Sequence, residues 1–335
     1  MKWEGSRASI IKSAAVVTKA AIVAFVLGQF VPGSVHAQEY PNRAISFIAT
    51  FGAGSNFDQL ARVFAERLRA KLGVPVVIEN VTGGQGIIAA QRVLNAKSDG
   101  YTFLIGNAGI ASTPIAMKNA GYKASDFVAI VPLGQASFIL YAGSKVPATD
   151  IPSMMSYLKS NLKEANSGVL TTSYVSMMLS RKFAKVSGGE ITEIGYRSSP
   201  EMLVALLAND ISMMATTHAI AGQHVAAGKI KAIGVVAEDR TPTMPDLPTF
   251  KEMGYPSLVI NVWQVIFAKS DVPADILNKI KAASKEIVAD PSFLQAMGPT
   301  GMEEWKIPFE AVQSLVDKEA KTFGREAEEL GIKFN

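Results

Sequence analysis

Eight consecutive residues, Phe51-Gly52-Ala53-Gly54-Ser55-Asn56-Phe57-Asp58, separate an apolar run, Ile45-Ser-Phe-Ile-Ala-Thr50, from a segment in which Leu60, Phe64, Leu68 and Leu72 recur four apart. The pattern predicts a buried strand, a glycine-rich bend and the opening of an amphipathic helix. Gly52 and Gly54 let the backbone bend tightly and bring N–H groups close to a ligand. Asn56 or Ser55 can cap the first helical turn, and Asp58 suits the positive end of the helix dipole. Such a bend favours anion capture, with backbone donors and a helix N-terminus aimed at one small negative group. Taken alone, the loop is compatible with binding and with catalysis.

The same logic repeats one unit later in Asn80-Val-Thr-Gly83-Gly84-Gln85-Gly86. Gly84, Gly86 and Ala89 satisfy the G-x-G-x-x-A spacing of a dinucleotide fold, but the context is wrong. The loop follows the second predicted strand, and the next strand ends at Leu104-Ile-Gly-Asn107 without a carboxylate to hold a ribose hydroxyl. A second amide-rich wall of an anion pocket is the better reading. Ligands gather beyond the carboxyl ends of parallel strands, so the loops at Gly54, Gly84 and Asn107 are expected to lie near one another. Later in the chain, Thr171-Thr172-Ser173-Tyr174 combines hydroxyls with a helix start. Tyr196-Arg197-Ser198-Ser199 does the same before a helix from Pro200, and Arg197 could grip a carboxylate with two parallel hydrogen bonds. Its alternative is a solvated surface arginine. Thr216 follows a strand expected to be buried and can supply a neutral hydrogen bond.

Catalytic and metal-binding patterns find no match. There is no G-x-S-x-G elbow and no H-E-x-x-H, and His218 and His224 are six apart, which does not place them on one helix face. With no cysteine, thiol nucleophiles, zinc–thiolate sites and iron–sulfur clusters are excluded. No cofactor and no metal is expected, and the chain does not read as an enzyme. The pairs Met154-Met155, Met177-Met178 and Met213-Met214 read as core filler, and Trp263 as packing.

The elements that must position these residues alternate between strand and helix. Residues 1–37 read as a cleaved secretory signal: Lys2, Arg7 and Lys12 precede a mostly apolar stretch from Ala20 to Val31, and Val35-His36-Ala37 is an A-x-A-like site. That segment carries about three of the four net positive charges of the 335-residue chain, so the rest is nearly neutral. No basic stripe interleaved with aromatics marks a nucleic-acid surface. The roughly 300 remaining residues suggest two domains held by large apolar cores rather than disulfides. Strands are expected at Val74–Ile78, Tyr101–Ile105, Phe127–Val131 and Phe138–Ala142, with a helix over Gly86–Ala96. The βαβαβ order implies a parallel sheet with helices on its faces. A second series starts with a helix near Asp150 and continues with strands near Val169–Thr172, Ile191–Ile194, Ile211–Met214 and Ile230–Val236. Leu258–Phe267 reads as one long strand connecting two lobes, and helices follow at Ala274–Asp290 and Phe309–Leu330. The expected architecture is a bilobed α/β protein, with 38–140 and 262–335 in one lobe and 141–261 in the other.

Taken together, these segments resemble the solute-binding proteins of tripartite tricarboxylate transporters, the Bordetella uptake gene (Bug) family, over essentially the whole chain after residue 37. The resemblance rests on Tyr40–Ile45, Phe51–Gly54 with Asp58 and Ala61-Arg62, Val77–Asn80 with Gly83–Gly86, and Asp99-Gly-Tyr-Thr102. It continues in Gly228–Ala232, Met244–Thr249 and Gly254-Tyr-Pro256. It implies a periplasmic, monomeric, type II Venus flytrap that delivers a small carboxylate to membrane permease subunits. It further implies that Phe51, Gly52, Ala53, Gly54, Ser55, Asn56 and Phe57, with Gly83, Gly84, Gln85 and Gly86, hold the proximal carboxylate. Asn107, Thr172, Ser173, Tyr174, Arg197 and Thr216 complete the expected contact set. The chain departs from the family pattern in the second lobe. A histidine is missing from Thr171–Ser176, a Y-K-G pattern becomes Tyr196-Arg197-Ser198, and a frequent aspartate appears as Thr216. Losing that aspartate weakens the case for an amino acid, and Arg197 favours a dicarboxylate or an aromatic acid. A sensory protein with the same pocket, or a periplasmic hydrolase of small esters, are the alternative functions.

Overall fold

Alternating apolar strands and amphipathic helices sort into two five-stranded sheets in the computed structural model, which describes residues 40–107, 109–117, 119–171 and 173–332. The expected signal segment lies outside the described residues. Arg43–Asn335 forms one compact unit.

The first series runs β1 (Ile45–Ala49), α1 (Asn56–Leu72), β2 (Val76–Asn80), α2 (Ile87–Leu94), β3 (Thr102–Gly106), α3 (Gly109–Ala116) and β4 (Phe127–Ala136). The second runs β5 (Ile139–Gly143), α4 (Ile151–Ser160), β6 (Asn166–Leu170), α5 (Tyr174–Ser187), β7 (Thr192–Tyr196), α6 (Ser199–Ala208), β8 (Met213–Thr216), α7 (His218–Ala226) and β9 (Ile230–Val235). The chain then returns to the first sheet as β10 (Val262–Lys269) and finishes with α8 (Ala274–Val288), α9 (Pro291–Met297) and α10 (Val312–Glu329).

Strand order is β2-β1-β3-β10-β4 in one sheet and β7-β6-β8-β5-β9 in the other. Neither sheet is purely parallel. β10 runs antiparallel to β3 and β4, and β5 runs antiparallel to β8 and β9. In each sheet the reversed strand is the one that has just crossed over from the other sheet, so its direction is inherited from the crossing.

The expected long strand Leu258–Phe267 is shorter than its apolar run. Pro256–Leu258 forms a short 3-10 turn, and pairing begins only at Val262. Between them the chain spans the gap between sheets with no ladder beside it, apart from the Ile260 N–H donating to the Val236 carbonyl at 2.9 Å. A third segment lies against these crossings. Glu303 exchanges two backbone hydrogen bonds with Gln135 (2.7 and 3.0 Å). Its carboxylate accepts from Ser137 Oγ (2.9 Å) and Thr241 Oγ1 (2.8 Å). One side chain thereby clasps both connections.

The core of the first lobe is aromatic beneath α1: Phe47 stacks on Phe103 at 5.4 Å and meets Phe64 edge-on at 6.2 Å. Leu60, Phe64 and Leu68 are buried as their spacing requires. On the other face, α10 buries Val312, Val316, Ala320, Phe323 and Ala327 together with one carboxylate, Glu319. Met178 of α5, from the second series, packs into this same cluster, and Lys182 of α5 pairs with Glu326 of α10 at 2.8 Å. The second lobe has its own core around Ile139, Tyr141, Met202, Leu206, Ile211 and Met214. Met154, Met155, Met213 and Met214 are buried as their reading as filler requires, whereas Met177 is only half-buried.

Candidate functional site

The first glycine-rich bend is held by one buried carboxylate. Ser55, extended at φ −68°, caps α1 by accepting the Asp58 N–H. Its hydroxyl donates to the Gly52 carbonyl at 2.8 Å. Gly54 sits at φ +78°, a left-handed conformation that a side chain disfavours. In that turn its N–H donates to Asp58 Oδ2 at 2.8 Å. The same oxygen accepts from Arg62 Nε at 3.0 Å. Asp58 Oδ1 accepts from Asn80 Nδ2 at 2.9 Å, and this amide also donates to the Phe51 carbonyl at 3.1 Å. Burial alone would raise the Asp58 pKa, but the bonds from Arg62, Asn80 and Gly54 outweigh it and hold the carboxyl below its ordinary value.

The bend is thus internally satisfied through Gly54, and the donors it leaves for a ligand lie elsewhere. Among the described residues, no oxygen takes up the backbone N–H of Asn56 or Phe57, the first two helical positions of α1. The Asn56 side chain does not cap its helix. It crosses to the other lobe and donates to Thr217 Oγ1 at 3.0 Å.

The second loop makes a matching reach. Gln85 has φ +55°, uncommon for a residue with a side chain and a mark of a constrained functional position. Its Nε2 donates to the Thr171 carbonyl of the second lobe at 3.0 Å. After β3, Asn107 Oδ1 accepts the Gly109 N–H at 2.9 Å and shapes the entry into α3. In the second lobe Ser173 caps α5 and Ser198 caps α6. The backbone N–H of Arg197 donates to Glu201 Oε2 at 3.0 Å, while its exposed guanidinium has no partner among the described residues.

These elements enclose a cavity of about 390 Å³. From the first lobe it is lined by Thr50 to Phe57, Gln85, Gly86, Asn107, Gly109 and Ile110. The second lobe contributes Leu170, Ser173, Val175, Arg197, Ser198, Ser199, Pro200, Thr216 and Ile220, while Phe138 comes from the β4–β5 crossing and Val262 from the start of β10. Most residues singled out from the sequence therefore converge on one cavity. Gly83 and Gly84 do not line it; they bend the backbone that presents Gln85 and Gly86. Thr172 lies outside the described residues, and Tyr174 opens α5. Among the described residues, the lining carries a single charged residue, Arg197, and no carboxylate. Phe138, Val175, Ile110, Ile220 and Val262 were not anticipated, because an apolar residue on a cavity wall has the same sequence signature as one in the core. No group of three or more His, Cys, Asp or Glu among the described residues could hold a metal ion.

Known proteins are similar to this chain in sequence and in fold. The family described as "Tripartite tricarboxylate transporter family receptor" matches residues 60–332. A UPF0065 protein of Bordetella pertussis is 30% identical over 89% of this chain and 93% of its own length. Among solved structures, the periplasmic binding protein BugD is 27% identical with a TM-score of 0.77, over 88% of this chain and 99% of that one. A Rhodopseudomonas palustris protein, Rpa4515, solved with adipate, is 26% identical with a TM-score of 0.79, again over 88% and 99%.

Proposed function

Since the chain belongs to the tripartite tricarboxylate transporter receptor family, and has Bug proteins among its relatives, we propose that it captures a small carboxylate between its lobes and presents it to a membrane permease. The observation that carries this reading is the composition of the cavity wall. Unspent backbone N–H groups at the start of α1 belong to residues that line a cavity whose only charged residue, among those described, is an arginine on the other lobe. Neutral, preorganised amides hold an anion at little ordering cost. The adipate held by Rpa4515 supports a carboxylate as the ligand, and the transporter family name supports a permease as the recipient.

In this reading the protein binds without turnover and works in the periplasm, as BugD does. The lobes close around the ligand, and contacts made only when closed set the closure equilibrium. The Asn56–Thr217 and Gln85–Thr171 hydrogen bonds are contacts of that kind.

A thermal-shift panel of mono-, di- and tricarboxylates tests the proposal. A ligand at a hundredfold excess over its dissociation constant adds about 2.7 kcal/mol of stability and raises Tm by several degrees. A melting temperature that no carboxylate moves would overturn the reading. A ligand consumed during the assay would move the protein to the hydrolase class.

A further inference from the structure

We propose that the ligand is an aromatic dicarboxylate, one carboxylate on the α1 amides, the ring among the phenylalanines of the cavity, and the second carboxylate on Arg197. The inference rests on the carboxylate reading above and adds the body and the far end of the ligand.

The far end follows from charge. A ligand bearing an ammonium group would bury it in a wall whose described residues offer no carboxylate to pair with it, and an unpaired buried charge is costly. Arg197 offers the opposite: it lines the cavity from the second lobe, and its exposed guanidinium is unpartnered among the described residues. A planar guanidinium suits a carboxylate, which it can hold through two parallel hydrogen bonds.

The body follows from size and surface. A cavity of about 150 Å³ suffices for benzene, whereas this one is about 390 Å³. A four-carbon diacid would leave much of that volume to water against apolar walls. Those walls are aromatic where the two lobes meet. Phe51 and Phe57 are half-buried with ring centroids 5.8 Å apart at an interplanar angle of 32°, and Phe138, Val175 and Ile220 are among the other apolar residues of the lining. A flat ring covers such a surface without the rotamer entropy that a flexible aliphatic spacer loses on binding.

Isothermal titration of the purified protein with terephthalate, p-toluate, adipate, malate and aspartate tests the proposal. Terephthalate should bind about tenfold or more tighter than p-toluate, malate and aspartate. Arg197→Met should reduce terephthalate to the affinity of p-toluate and leave p-toluate unchanged. Adipate, malate or aspartate binding as tightly as terephthalate would overturn the aromatic claim while leaving the carboxylate reading intact. An Arg197→Met variant that weakens both aromatic acids equally, or neither, would overturn the role given to Arg197. No heat with any acid in the panel would overturn both.

Discussion

Asp58 spends its charge inside its own loop. Because it takes the Gly54 N–H, the helix-terminal carboxylate is not a competitor for the ligand but the brace that fixes where the remaining donors point. Its folded pKa lies below the ordinary value of 3.8. The stability it contributes is therefore complete above that pH and is lost as pH falls through the lower folded value. Asp58→Asn should cost about 1.5–3 kcal/mol at neutral pH. It should also flatten the acid limb of the stability curve, read by urea unfolding at several pH values, and weaken ligand binding. Unchanged acid sensitivity would remove Asp58 from this role. At this scale the sequence was informative wherever glycines and a helical repeat coincide, as they do over Phe51–Asp58. It was silent about which donor is free, since Ser55 and Asn56 are both competent caps and only the fold sends Asn56 to Thr217.

Helix α10 shows the limit of reading elements from periodicity. Val312, Val316, Phe323 and Ala327 mark its buried face, but Glu319 lies on that face too, and a charge on an amphipathic helix reads as solvent-facing. In the fold, Glu319 accepts from Asn261 Nδ2 at 3.0 Å and from the Trp263 indole. The side chain thus joins the C-terminal helix to the strand that returns from the second lobe. Burial raises its carboxyl above the ordinary 4.5, more than the Trp263 and Asn261 bonds lower it. The sign is opposite to that of Asp58: the contribution is full below 4.5 and is lost as pH rises through the higher folded value. The parent should therefore lose stability relative to Glu319→Gln as pH is raised from 4.5, and parallel unfolding curves for the two proteins would reject this. Leu258–Asn261 failed as a strand for a related reason: an apolar run predicts burial, but pairing needs a neighbour, and the crossing provides none.

At the scale of the whole molecule, the bilobed α/β class was legible because two alternating series are followed by one long apolar segment. The mixed direction of each sheet was not, since strand direction depends on where the chain has come from. The cavity wall was legible on its polar side and hidden on its apolar side, where Phe138 and Val262 resemble core. Asn56 and Gln85 join the lobes directly. Asn56→Ala removes one such bond, worth about 0.5–1.5 kcal/mol, and should lower affinity for every ligand by a similar factor of about 2–12. Small-angle scattering should record a larger radius of gyration for the unliganded variant than for the parent; identical profiles with unchanged affinity would show that the bond does not bias closure.

The placement of β10 reaches beyond binding to how the molecule is assembled. This strand lies between β3 and β4 in the first sheet, yet it is made after every strand of the second sheet. A chain emerging N-terminus first can complete the second lobe as a contiguous insert, while β4 still lacks the only strand it pairs with along its length. The lobe that carries the glycine-rich loops is therefore the last to be finished, and the bend at Phe51–Asp58 is translated long before the sheet behind it is complete.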